Sequence, residues 1–236
     1  MEDNGYVANI ISFPAGEKSK TCATKEYVED TMLELGYRRD CCIIAVGGGV
    51  VTDLAETIKH ACIADREFFH YISDNMDAIF AVDETVCEHI AEMNCKIKCE
   101  VVMQDEWESG MREILNLGHT VGRAIETVSG YRLLHGQALA IGLMAEVKMA
   151  KKLGYCSDED VALMQNILSR AKLPTAIPDY IDRETLVKKL YTDKKAKNGN
   201  LRFVFQEGIG KIKVFDNEQY AQVIPESLAR EIIRDM

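Results

Sequence analysis

Apolar residues follow two regimes along the chain. Up to residue 53 they fall in short runs. Residues 6–13 (YVANIISF) predict a strand ended by Pro14, and residues 23–36 predict a helix stopped by Gly36. Residues 41–46, fully apolar and rich in β-branched side chains, predict a buried strand that runs into Gly47-Gly48-Gly49. Strand, helix, strand, glycine turn and helix is the order of a βαβ unit with a ligand site at a strand's carboxyl end. From residue 54 to 172 there is no proline, and apolar residues recur every three or four positions. That spacing predicts helices at 51–73, 82–94, 106–128, 135–153 and 157–171. Near the end, residues 201–205 and 211–215 flank Glu207-Gly208-Ile209-Gly210 and predict a hairpin, followed by a helix from about residue 225. The pattern as a whole predicts an α/β N-terminal part over 1–53, with a truncated parallel sheet of dinucleotide-binding type. A mainly α-helical domain with a small β-hairpin follows over 54–236.

Composition adds exclusions. At 236 residues, 47% hydrophobic and 28% charged, the chain can bury a sizeable core. Its formal net charge of -10 argues against nucleic acid as a partner, because phosphate binding needs a concentrated basic face. No run has membrane-spanning length, and the acidic N-terminus does not read as a signal peptide, so a cytoplasmic protein is expected. The eight cysteines are scattered through apolar, helix-like segments without a Cys-x-x-Cys pair, which predicts reduced, buried thiols.

Candidate chemistry clusters in three places. Residues 116–136 place His119 on an amphipathic helix and His135 at the next helix start, so that the two imidazoles can converge across a helix-loop-helix. Upstream, Asp53, Glu56, Lys59 and His60 share one side of a helix, and Glu56 offers a third ligand. Two histidines and a carboxylate suit a zinc-type ion with an open coordination position, although a simple ion pair of Glu56 with Lys59 or His60 fits the spacing equally. The glycine turn before Val50-Val51-Thr52-Asp53 presents backbone N–H groups at a helix start, where an anion is stabilised. The loop after Pro14, with Glu17 and Lys18, follows a predicted strand and can meet ribose hydroxyls.

The blocks PAGEKSK, IIAVGGGVVTDLA, LAETIKHACI, KIKCEVVMQDEWESGMREILNLGHTVGRAIE, LLHGQALAIGL and the late DKK before a hairpin together resemble the 3-dehydroquinate synthases, a family of sugar-phosphate cyclases. The resemblance implies NAD and a divalent metal, zinc or cobalt, as cofactors, with the metal on Glu56, His119 and His135. It implies NAD contacts from Ala15, Gly16, Glu17 and Lys20 and from Gly48, Gly49, Val50, Val51, Thr52 and Asp53. A small phosphorylated sugar-acid substrate of the shikimate pathway would meet Lys59, Lys98, Arg112, Asn116 and one of Lys194 or Lys195. The implied chemistry is oxidation of a hydroxyl, elimination of phosphate, reduction of the ketone and an aldol ring closure. A homodimer is implied as well, and unpaired edges of a short parallel sheet favour self-association.

The chain departs from the family pattern at several points. At Asp53-Leu54-Ala55-Glu56 two motifs that the family keeps far apart are joined, their Leu-Ala dipeptides coinciding as Leu54-Ala55. Arg123 stands where a second histidine is usual, Gln137 replaces a glutamate that would support the metal ligands, and Thr52 replaces a glycine. Three functions are therefore in view: a phosphate-eliminating cyclase, a non-catalytic metal-binding or assembly module of the same fold, and a related sugar-phosphate cyclase.

Overall fold

A computed structural model describes residues 9–14, 21–37, 50–105, 107, 110–192 and 201–236, with backbone alone for 50–53 and 192. The chain divides into two units, Met1–Gly49 and Val50–Met236. In the first, α1 (Cys22–Glu34) begins at Thr21, whose hydroxyl accepts the Thr24 N–H. It ends as expected at Gly36, in left-handed conformation with φ 81°. α1 buries none of its residues. Residues 9–14 are not in a strand, so the described part of the strand expected at 6–13 is not one. The strand expected at 41–46 and the glycine turn lie outside the described residues.

The second unit is built around one helix. α7 (His135–Lys152) buries thirteen of its residues and packs against α2 (Val50–Ala64), α6 (His119–Val128), α8 (Asp158–Arg170) and α10 (Glu226–Arg234). A helix apolar on all sides belongs at the centre of a bundle. Gly142 lets α7 touch α6 directly: a Cβ there would lie 2.0 Å from the Gly118 carbonyl oxygen. The predicted helix over 51–73 is two helices, α2 and α3 (Arg66–Asp74). Asp65 adopts an extended backbone between them and caps α3 by accepting the Phe68 N–H at 2.9 Å. After the short α4 (Met76–Phe80), α5 (Glu84–Gln104) starts at Asp83, which caps Val86, and runs ten residues past the expected end.

The helix expected over 106–128 is broken. A 3-10 turn, Met111–Asn116, is followed by Leu117 in a non-helical backbone conformation, with φ -52° and ψ 128°, and by Gly118 at φ 77°, and only then does α6 begin. α9 (Arg183–Thr192), not predicted, is entered through Asp182, which accepts the Thr185 N–H at 2.7 Å.

The hairpin is corrected in its pairing. β1 (Arg202–Val204) pairs antiparallel with β2 (Ala221–Val223), not with 211–215. Residues around the Glu207–Gly210 turn still exchange backbone bonds, Glu207 with Lys211 and Lys213 with Phe205. This two-stranded sheet is the only one among the described residues, and none of it is parallel. Of the six cysteines described, all free, Cys62 is buried whereas Cys22, Cys95 and Cys99 are exposed, which corrects the expectation of buried thiols. No helix among the described residues is long and apolar enough to cross a membrane.

Candidate metal centre

Three helices of the second unit deliver one side chain each to a common point. Glu56 projects from the second turn of α2, His119 opens α6 and His135 opens α7. Glu56 Oε1 lies 3.3 Å from His119 Nε2 and 3.1 Å from His135 Nε2, and one ligand atom from each residue lies within 4.8 Å of the others. Donors around a tetrahedral ion at about 2.1 Å sit roughly 3.4 Å apart, which is close to the spacing Glu56 Oε1 keeps from both imidazoles.

The far nitrogen of each ring is engaged as well. His119 Nδ1 is 3.2 Å from the Leu117 carbonyl oxygen, and His135 Nδ1 is 3.1 Å from Glu126 Oε1. With an ion held on Nε2 the ring proton would sit on Nδ1, where each ring already faces an acceptor; without one, Nε2 of each ring meets the Glu56 carboxylate instead. Glu126 was not among the residues singled out from sequence. Its signal was available, since it stands seven positions, two turns, after His119 on the same helix. It also answers the substitution at Gln137: that side chain accepts the Leu134 N–H at the start of α7, while Glu126 supplies the carboxylate beside His135.

Lys59, one turn after Glu56, is buried. Its ammonium sits 2.5 Å from Glu56 Oε2 and donates to the Leu115 carbonyl at 3.0 Å. The ion pair read from spacing therefore exists alongside the cluster. His60 turns away: its Nδ1 meets Asn94 Oδ1 of α5 at 2.8 Å, and Asn94 in turn donates to Thr57.

Electrostatics separate the groups. Burial alone would raise the Glu56 carboxyl, but hydrogen bonds with His119 and His135 and the Lys59 ammonium outweigh it and hold the group far below the ordinary carboxylate range. Burial lowers Lys59, the Glu56 carboxylate opposes that, and the nearby cations Lys98 and Arg123 add to it. Burial also lowers His119, whereas the hydrogen bond with Glu56 is the leading cause that raises His135.

The remaining predicted site residues are distributed around this point. Lys98 lies exposed on α5, close enough to act on Lys59 and His60. Arg112 and Asn116 belong to the 3-10 turn that leads into His119, and the Arg112 N–H is held by Asp105 Oδ2 at 2.9 Å. Val50, Val51, Thr52 and Asp53 form the first turn of α2. Ala15, Gly16, Glu17, Lys20, Gly48, Gly49, Lys194 and Lys195 lie outside the described residues.

A partly buried carboxylate-and-imidazole cluster on a helical bundle defines a class of candidate metalloprotein, and sequence comparison supplies the family. A profile described as 3-dehydroquinate synthase C-terminal matches residues 53–196, and one described as 3-dehydroquinate synthase N-terminal matches residues 10–66. A 3-dehydroquinate synthase of Ruminiclostridium cellulolyticum is 42% identical over 174 residues, 72% of this chain and 48% of the relative, so the match spans about half of that protein. One from Desulforamulus reducens is 40% identical over 297 residues, covering 95% of this chain and 83% of the relative. Among solved structures, a 2-deoxy-scyllo-inosose synthase complexed with carbaglucose-6-phosphate, NAD+ and Co2+ shares the fold with TM-score 0.75 at 19% identity, over 96% of this chain and 83% of the other. The chain belongs to the 3-dehydroquinate synthase family.

The two profiles overlap on residues 53–66, and the Desulforamulus alignment is longer than the 236 residues of the chain. Both observations agree with two motifs joined at Leu54-Ala55.

Proposed function

We propose that the chain acts as a 3-dehydroquinate synthase, a phosphate-eliminating lyase that uses NAD and a divalent metal on a small phosphorylated sugar acid of the shikimate pathway. The observation that carries this reading is the convergence of Glu56, His119 and His135 beside the buried Lys59. The three side chains fit a zinc or cobalt ion by spacing and by donor chemistry. Held there, such an ion supplies Lewis-acid polarisation of a substrate oxygen. NAD supplies hydride transfer, and we assign it to the Ala15–Lys20 loop and the Gly48–Asp53 turn on the strength of the resemblance. A parallel sheet of dinucleotide-binding type over 1–53, a helical domain over 54–236 and a homodimer belong to the same proposal.

The chain's own residues contribute binding and proton control. Lys59, anchored by Glu56 and Leu115, holds a fixed cation where a substrate anion would lie, and its lowered affinity for the proton lets it give that proton up more readily than an exposed lysine. Lys98 and Arg112 add positive charge for phosphate or carboxylate, and Asn116 offers a neutral donor beside them. Lys194 or Lys195 completes the clamp in this reading. Arg123 places a permanent cation where the family usually carries a titratable histidine, so proton transfer falls to other groups.

A second reading draws on the overlap of the two profiles at residues 53–66: a metal-binding module that keeps the helical half and does not turn over. Isothermal titration of the zinc-loaded protein with NAD, followed by an assay for phosphate release, separates the two. The cyclase reading predicts NAD binding and substrate-dependent phosphate release. Zinc bound without NAD or phosphate release would support the module, and the same assay with other sugar phosphates tests a related cyclase.

A further inference from the structure

The first turn of α6 carries His119, yet its cap, Gly118, has no side chain to receive the amides that a helix start leaves without partners. That start is buried, with Leu117, Gly118, His119 and Val121 all enclosed. The partner comes from across the bundle. Glu146 of α7, about three turns beyond His135, takes the Gly118 N–H on Oε2 at 2.6 Å, and the amides of Thr120 and Val121 bear on the same carboxyl. Glu146 is 1% exposed, and its Oε1 makes no hydrogen bond. A carboxyl so placed is disfavoured against an apolar side chain of similar volume, so packing alone does not account for it.

We propose that Glu146 is a positioning residue: it caps α6 from α7, fixes the Leu117-Gly118 kink and so holds the His119 imidazole on Glu56. The kink sets the ring directly, because Leu117 supplies the carbonyl at His119 Nδ1 while Nε2 faces Glu56. The same residue ties the helix that carries His135 to the start of the helix that carries His119, and its hold falls on the His119 side. Burial pushes the Glu146 carboxyl up to about 8, so near neutral pH it is largely a protonated acid, and glutamine is its closest mimic.

The test uses the full-length chain with Glu146→Leu, which keeps volume without an acceptor, and Glu146→Gln, which keeps a carbonyl for Gly118. Glu146→Asp, which draws the carboxyl back by one methylene, takes the place of the leucine variant should that one not fold. In metal-free protein, nitrogen NMR of the imidazoles and amide exchange are followed; in a second arm, cobalt is titrated and its visible spectrum recorded. This second arm rests on the metal reading above, and the first does not. Expected in the leucine or aspartate variant are a displaced His119 ring signal with His135 little changed, and first-turn amides of α6 exchanging about ten-fold faster or more. Cobalt affinity falls about 10–100-fold with altered visible bands, and the glutamine variant restores all of these. A general loss of stability would lower the melting temperature without selecting His119 or the cobalt spectrum. The proposal is overturned if the leucine or aspartate variant keeps the wild-type His119 signal, or if glutamine is as damaging as leucine. Wild-type protein that binds no cobalt overturns the metal reading, while the metal-free ring signals still decide the role of Glu146.

Discussion

His119 and His135 meet the same carboxylate oxygen at 3.3 and 3.1 Å, yet their surroundings differ in kind. His119 is buried, its outer nitrogen faces a backbone carbonyl two residues back, and its proton affinity is lowered by burial. His135 is partly exposed, its outer nitrogen faces the Glu126 carboxylate, and its proton affinity is raised, first by Glu56. One imidazole is fixed by packing and the other by charge. The difference teaches that the cluster has two separable failure modes: disturbing the α6–α7 contact should damage the His119 side, and removing a charge should damage the His135 side.

The largest effect expected on the packed side is pH-dependent. Burial raises Glu146 from the ordinary value of 4.5 to about 8, so the unfolded chain releases this proton first. Its contribution is fully present below about pH 4.5 and is lost as pH rises to about 8, a swing on the order of several kcal/mol. Urea unfolding across that window should show a shallower loss in Glu146→Gln than in wild type; parallel profiles would remove Glu146 as the source. His60, lowered by burial to about 4, works in the opposite sense, its contribution being lost as pH falls from about 6.5 to about 4.

Next in size is Gly142→Val, which drives side-chain atoms into the Gly118 carbonyl and should lose about 3 kcal/mol together with metal affinity. Unchanged unfolding and unchanged zinc binding in that variant would show that the close α6–α7 approach is dispensable. On the charged side, Glu126→Gln should weaken zinc binding about 10–100-fold with little loss of stability, measured by competition with a chelator. Wild-type affinity in that variant would sever Glu126 from His135. The smallest effect is that of Asp65→Ala, which removes the α3 cap for about 1 kcal/mol and leaves zinc affinity as it was, since it touches neither imidazole.

Much of this site was legible in the chain. Glu56, His119 and His135 were marked by residue type and helical spacing, and Lys59 by its place one turn from Glu56. What spacing did not reveal was tertiary. Glu126 and Glu146 look like ordinary helix carboxylates, and only the approach of α6 to α7 brings one to a ring nitrogen and the other to backbone amides. The same limit explains the fold. The period of three and four located α2, α7 and α8, but it ran through Asp65 and Gly118, where a cap and a left-handed glycine break the helix without interrupting the apolar pattern. β1 found a partner beyond the adjacent segment because the turn around Gly208 and Gly210 folds back against α8 and the start of α3, leaving residues 221–223 to complete the ladder.

Zinc content of the purified chain, read by elemental mass spectrometry beside the paired change His119→Ala with His135→Ala, bears most directly on the cluster. The account predicts one zinc ion per wild-type chain and none in the double variant. A double variant that stays folded and retains its zinc would contradict it.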